Sequence, residues 1–152
     1  MRKLLKYSKK LVRRRRKAMD LDKRAMDIFR RTGYAFIATS SNGVSHLAVT
    51  SGLDFTGRGG IVVSEWFCPR TLENLEVNPW LSIVIWDPEE DKGVQIYGRK
   101  KDLKETEVLD GQPATMERNR HIPQVNSSLS IEVERVSEFV KGPHSDDRIR
   151  GK

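Results

Sequence analysis

The sequence predicts a mainly β fold, a small antiparallel barrel of six strands with peripheral helices. Three observations carry this expectation. Short runs rich in β-branched and aromatic residues recur along the 152 residues. Tight-turn signals separate them, and helical periodicity is confined to a few segments. Strands at such short spacing favour an antiparallel barrel over a parallel α/β sheet. One domain is expected from the length, and a hydrophobic content of 37% suffices for a single core.

Residues 20–32 read as an amphipathic helix. Asp20 or Asp22 can cap it, Leu21, Ala25, Ile28 and Phe29 share a face, and Gly33 sits where helices commonly end. The period then turns extended. Tyr34 to Thr39 is apolar on both faces, Asn42-Gly43 is a strong hairpin signal, and Val44 to Ser51 is the return strand. The glycine-rich turn Thr56 to Gly60 leads into Ile61-Val62-Val63. A short helix begins at Pro69, suited to a first turn, and closes at Asn78-Pro79. Trp80 to Trp86 is the most apolar strand, and the loop Asp87 to Gly93 joins it to Val94 to Arg99. Residues 102–121 are polar and mostly helical in propensity. The last strand alternates, with Leu129, Ile131 and Val133 inward and Ser130, Glu132 and Glu134 outward.

The net charge of +7 is unevenly placed. Residues 1–17 hold ten of the 28 basic residues and no acidic one, leaving 18 basic against 21 acidic in the rest, a net of −3. The chain thus divides into a basic arm (1–19), a mildly acidic domain (20–141) and a polar tail (142–152). Leu4, Leu11 and Ala18 recur every seven residues in the arm, as do Leu5, Val12 and Met19. A helix there would carry a narrow apolar stripe and a cationic face. It would pack on the domain or a second subunit, or meet an anionic partner (membrane or nucleic acid) through residues 2–17. The arm lacks the continuous apolar core of a signal peptide. No stretch approaches the ~18 apolar residues of a membrane span.

One cysteine excludes an internal disulfide framework, and three dispersed histidines give metal chemistry little support. No GxGxxG, P-loop or GxSxG occurs. The segment Ser64 to Leu75 stands out, because a strand ends, two aromatics follow, and a helix opens with Arg70 and Thr71 in its first turn. Amides at a helix start attract anions, Arg70 adds a fork of donors suited to phosphate, and the Thr71 hydroxyl adds another. Trp66 and Phe67 either border a flat aromatic ligand attached to that phosphate or belong to the core. Arg70 is either its partner or a solvated surface charge. Glu73 argues for the second, since a carboxylate near the helix start would repel a phosphate. Cys68 is either a reactive thiol or a buried, inert one.

Pro69-Arg70-Thr71-Leu72-Glu73-Asn74-Leu75-Glu76-Val77-Asn78-Pro79, then Trp80 to Asp87 and Gly93-Val94-Gln95-Ile96-Tyr97-Gly98, resembles the FMN-binding split-barrel superfamily. That group includes the pyridoxamine 5′-phosphate oxidase-like proteins and the small bacterial FMN-binding protein. The resemblance extends over roughly residues 20–140, on several short motifs in order. It implies a six-stranded antiparallel split β-barrel, acting as a homodimer with two FMN molecules at the subunit interface. Arg70 and Thr71 would then hold the phosphate. Thr50, Ser51 and the backbone of Val49 would line the flavin, with Ser64, Glu65, Trp66 and Phe67 running along the ring and ribityl chain. His46 becomes a candidate proton donor near the ring, or an ordinary strand histidine.

Two departures narrow the implied activity. The tail reads Glu138-Phe139-Val140-Lys141-Gly142-Pro143-His144-Ser145-Asp146-Asp147-Arg148. It lacks the Phe-Trp-Gln-Gly and Arg-x-His-Asp-Arg segments of the vitamin B6 oxidases, so that activity is not expected. Position 71 is threonine where many members have lysine, which leaves Arg70 as the main cation. The expectation is a cytoplasmic FMN flavoprotein, an oxidoreductase or electron-transfer protein. The alternatives are a split barrel holding deazaflavin or haem, or a small barrel binding nucleic acid through its arm.

Overall fold

Turn chemistry decides where the first elements end. In a computed structural model, which describes residues 23–56, 59–66, 68–107, 125–142 and 148–150, helix α1 runs over 23–32. It stops at Gly33, whose φ of +75° suits glycine and whose N–H closes on the Phe29 carbonyl at 2.7 Å. Ala25 and Ile28 are buried from this helix, with Phe29 packed against them. Residues 20–22 and the basic arm lie outside the described residues.

Strands β1 (Ala35–Ser41) and β2 (Val44–Thr50) form the expected hairpin. Asn42 and Gly43 both have positive φ, 50° and 78°, and Ser41 pairs with Val44. That is the two-residue turn whose twist matches its strands. The chain continues through β3 (Leu53–Thr56), β4 (Gly60–Trp66), α2 (Pro69–Val77), β5 (Trp80–Asp87), β6 (Lys92–Glu107), β7 (Val125–Glu138) and β8 (Arg148–Arg150).

The strands pair antiparallel in one sheet of order β2-β1-β5-β6-β7-β4-β3, with β8 on β7. The two ends of this order, β2 and β3, are consecutive in sequence, separated only by Ser51 and Gly52. The covalent chain therefore links the sheet's two edges. At this link the Thr50 hydroxyl accepts the Gly52 N–H at 3.2 Å, and the Gly52 carbonyl accepts the Ser64 N–H at 3.0 Å.

The mainly β, antiparallel expectation holds, with more strand than the six runs foreseen. β3 and β8 are additions of four and three residues. Segments that short carry too little local pattern and become strands by pairing with β4 and β7. Residues 102–107, grouped with a helical stretch by propensity, instead extend β6, and Asp102 to Glu107 pair with Ser130 to Val125. Residues 108–121 lie outside the described residues.

The last strand keeps its expected alternation at Leu129 and Ile131, both buried, while Val133 is half-buried. A register shift then pairs Tyr97 with Arg135 but Gly98 with Val133. The bulge moves the buried phase by one residue, to Val136. The core gathers Ile37, Ile61, Val63, Ile83, Ile85, Val94, Ile96, Leu129 and Ile131 from the strands, with Ala25, Ile28 and Leu75 from the two helices.

An ion-pair cluster pins α1 to the β5–β6 turn. The Asp87 carboxylate accepts the amides of Glu89 and Glu90 through Oδ1 and Arg31 Nε through Oδ2 at 3.2 Å. Arg31 also meets Glu90 at 3.5 Å. Burial pushes the Asp87 carboxyl up, but the amides of Glu90 and Glu89 and the Arg31 guanidinium outweigh it and hold it below its ordinary value. A depressed carboxyl stabilises the fold above its unfolded pKa, and the gain fades as pH falls through the folded value. Asp87→Asn is therefore expected to lower the melting temperature at pH 7. The gap to wild type should begin to narrow below about pH 4 and close as pH falls through the lowered folded value, in thermal melts followed across pH.

Candidate functional site

Helix α2 opens where Pro69 fixes φ for a first turn and lacks an N–H that would otherwise go unpaired. Cys68 is its N-cap, in extended conformation and without a side-chain capping bond. The amides of Thr71 and Leu72 both turn to the Cys68 carbonyl, at 3.1 and 3.2 Å. The Leu72 bond is the first regular turn of the helix, so of the donors at its start only the Thr71 amide is engaged, and the Cys68 and Arg70 amides remain for an outside anion.

The helix sits on β1 through a polar seam. Asn74 Nδ2 donates to Thr39 Oγ1 at 3.0 Å, and Ser41 Oγ donates to Asn74 Oδ1 at 2.7 Å. Asn78 Nδ2 donates to the Ser40 carbonyl at 3.0 Å. Asn74 and Thr39 are buried, so each needs the other. Thr71 and Leu75 complete the buried face, leaving Arg70, Glu73 and Glu76 outward. Asn74→Leu would leave the Thr39 and Ser41 hydroxyls without this partner. It is expected to cost about 1–3 kcal/mol, measured as a fall in the denaturant midpoint at unchanged slope.

Arg70 is exposed, and its Nη1 lies 3.3 Å from Glu73 Oε2. Thr71 is 0% exposed, and its hydroxyl donates inward to Cys68 Sγ at 3.3 Å rather than outward beside Arg70. His46 Nε2, from β2, reaches the same sulfur at 3.4 Å. Cys68 is thus half-buried between strand and helix with two polar partners.

The remaining sequence-derived positions fall on the strands. Val49 is exposed, Thr50 buried and Ser51 exposed, at the end of β2 and in the link to β3. Ser64 meets the same link through its backbone, and its hydroxyl lies 3.5 Å from Asp54 Oδ2 on β3. Ser64, Glu65 and Trp66 were expected in a loop after the strand, but they belong to β4, which carries a register shift between Val63 and Trp66. Pairing with β7 extends the strand past its last strongly apolar residue. Phe67 lies outside the described residues. Two neighbourhoods result, one around Thr50, Gly52 and Ser64, the other around His46, Cys68, Thr71 and Arg70. The connection running from Ser64 to Cys68 joins them.

Asn74, Thr39 and Ser41 had no assigned role in the sequence, and Asn78 was assigned only to the end of the helix. The signal was present in Asn74 and Asn78, which are poor helix formers spaced four apart at the end of a short helix. Among the described residues no group of three or more His, Cys, Asp or Glu could hold a metal ion. Nor is any helix there long and apolar enough to cross a membrane.

An antiparallel sheet whose edges are joined by the chain, with a helix seated on the β1–β2 hairpin, defines the split-barrel class. A family model described as pyridoxamine 5′-phosphate oxidase matches residues 21–139, and the chain belongs to that family. Similar solved structures include an FMN-binding protein from Syntrophomonas wolfei, 13% identical, covering 89% of this chain and 96% of its own at a TM-score of 0.57. A Clostridium acetobutylicum protein related to general stress protein 26, of the pyridoxinephosphate oxidase family, is 13% identical over 80% of this chain and 89% of its own (TM-score 0.55). HupZ of Group A Streptococcus is 15% identical over 82% and 96% (TM-score 0.52). At such identities these likenesses speak for the fold. No curated protein matches the chain.

Proposed function

We propose that this protein binds FMN and works as a flavoprotein, an oxidoreductase or electron carrier, in a homodimer that holds the flavin between subunits. The observation that carries the reading is the exposed Arg70 guanidinium in the first turn of α2, within a chain of the pyridoxamine 5′-phosphate oxidase family. A planar cation at a helix start suits the phosphate of a flavin mononucleotide. The likeness to an FMN-binding protein of the same fold supports the choice of cofactor.

The dimer is supported by an apolar face on an edge strand. Val44, Leu47 and Val49 of β2 are 68, 62 and 54% exposed, and Val77 and Trp80 are also large exposed hydrophobics. Leu47 and Val49 share one side of β2, opposite His46, Ala48 and Thr50. An unpaired edge with such a face suits a second copy of the chain. In this arrangement Val49, Thr50 and Ser51 line the flavin beside the subunit contact, Ser64, Glu65, Trp66 and Phe67 follow its ring and ribityl chain, and Arg70 and Thr71 take the phosphate. Thr71 takes part only by turning its hydroxyl away from Cys68 Sγ, which it meets at 3.3 Å in this structure. FMN, when bound, supplies the redox chemistry, while these residues bind and orient it.

The visible absorption spectrum after titration with FMN tests the cofactor. A flavin band perturbed on binding supports the reading, and a protein that takes up no FMN overturns it. Leu47→Glu combined with Val49→Glu is expected to shift the mass in light scattering from dimer to monomer. A wild-type protein already monomeric would remove the dimer.

A further inference from the structure

We propose that Glu73 sets how tightly this corner holds a phosphate, by competing with it for Arg70. The proposal rests on the reading that Arg70 meets the FMN phosphate, and it deepens that reading by naming a residue that works against it.

Apart from the Arg70 amide, the first-turn donors expected at the phosphate are engaged or missing. Pro69 has no N–H, the amides of Thr71 and Leu72 point at the Cys68 carbonyl, and the Thr71 hydroxyl points at Cys68 Sγ. The grip therefore falls mainly to Arg70, the only cation in Pro69–Val77, where Glu73 and Glu76 are both acidic. Arg70 is itself paired, with its Nη1 3.3 Å from Glu73 Oε2.

Glu73 cannot escape this position by rotation of the helix. Thr71, Asn74 and Leu75 are buried, and Asn74 is tied to both Thr39 and Ser41 on β1. Those contacts fix which side of α2 faces outward, and Arg70 and Glu73, three residues apart, share that side. A dianionic phosphate ester must share the guanidinium with Glu73, whose carboxylate holds Nη1, or draw it away, and in either case sits beside that carboxylate. Affinity for FMN is lowered accordingly. Riboflavin has the same ring without the phosphate and is indifferent to Glu73.

The experiment titrates wild type, Glu73→Gln, Arg70→Gln and the double variant with FMN and with riboflavin. Glu73→Gln is expected to tighten FMN by about two- to fivefold, the range for one exposed charge contact, and to leave riboflavin unchanged. The gain should shrink as salt is raised, through screening, and vanish in the Arg70→Gln background. An unchanged FMN affinity in Glu73→Gln, with Arg70→Gln weakened, overturns the role of Glu73 alone. Equal tightening of riboflavin overturns it too, since a repacked helix would do the same. FMN binding that ignores Arg70→Gln sinks both the competition and the placement of the phosphate, leaving FMN binding intact. Failure of every variant to bind FMN sinks the functional reading as well.

Discussion

Gly52→Ala is expected to destabilise the fold by about 3 kcal/mol or more, the upper range for forced overpacking against a structure that cannot give. A Cβ at this position would stand 2.3 Å from the Ser64 carbonyl oxygen and 3.2 Å from the carbonyl carbon. Those atoms are backbone, so no side chain can swing aside. Relief requires moving β4 away from the link between β2 and β3, which breaks the Ser64 N–H to Gly52 carbonyl bond. The sheet's two edges meet through this link, so the damage reaches both. Thermal unfolding should show a midpoint lower by roughly 10 °C. Gly43→Ala is the control, because its φ is +78° but nothing lies within 4 Å of the added carbon. It isolates the backbone penalty, about 1–2 kcal/mol. A Gly52→Ala protein melting no lower than Gly43→Ala would refute the close approach.

Arg70→Glu is expected to weaken FMN binding by about two orders of magnitude. The substitution removes a charge-assisted bond, whose loss costs about 1.5–3 kcal/mol, and adds repulsion from a second carboxylate next to Glu73. Both side chains are exposed, 69% for Arg70 and 63% for Glu73, so the fold itself should be untouched. Melting temperature without FMN serves as the internal check. Fluorescence titration that finds wild-type affinity would take Arg70 out of the site, whatever else binds the flavin.

These two positions differ in how far they could be read from the sequence. Arg70 was legible, because a proline followed by a basic residue after two aromatics marks a helix start with a charge at its mouth. Gly52 was not. It follows a strand as many glycines do, and only the approach of β4, twelve residues later, makes its missing side chain necessary. Thr71 shows the same divide within one turn. Its place in the helix was legible, but its hydroxyl turns inward because Cys68 and β2 lie beneath it.

What the sequence determined by itself is whatever depends on a few adjacent residues. Asn42-Gly43 specified the β1–β2 turn through two positive φ angles, Gly33 ended α1, and the alternation at Leu129 and Ile131 faced β7 inward. Such choices are decided by local sterics and by burial on one face, which each segment carries with it. Only the tertiary structure decided that Leu53–Thr56 and 102–107 are strands, that β7 changes phase at its bulge, and that Asn74 joins Thr39 beneath α2. These outcomes depend on partners far along the chain. A short or polar segment has no preference strong enough to oppose a ladder, and a buried amide has no satisfied arrangement until its partner strand is in place.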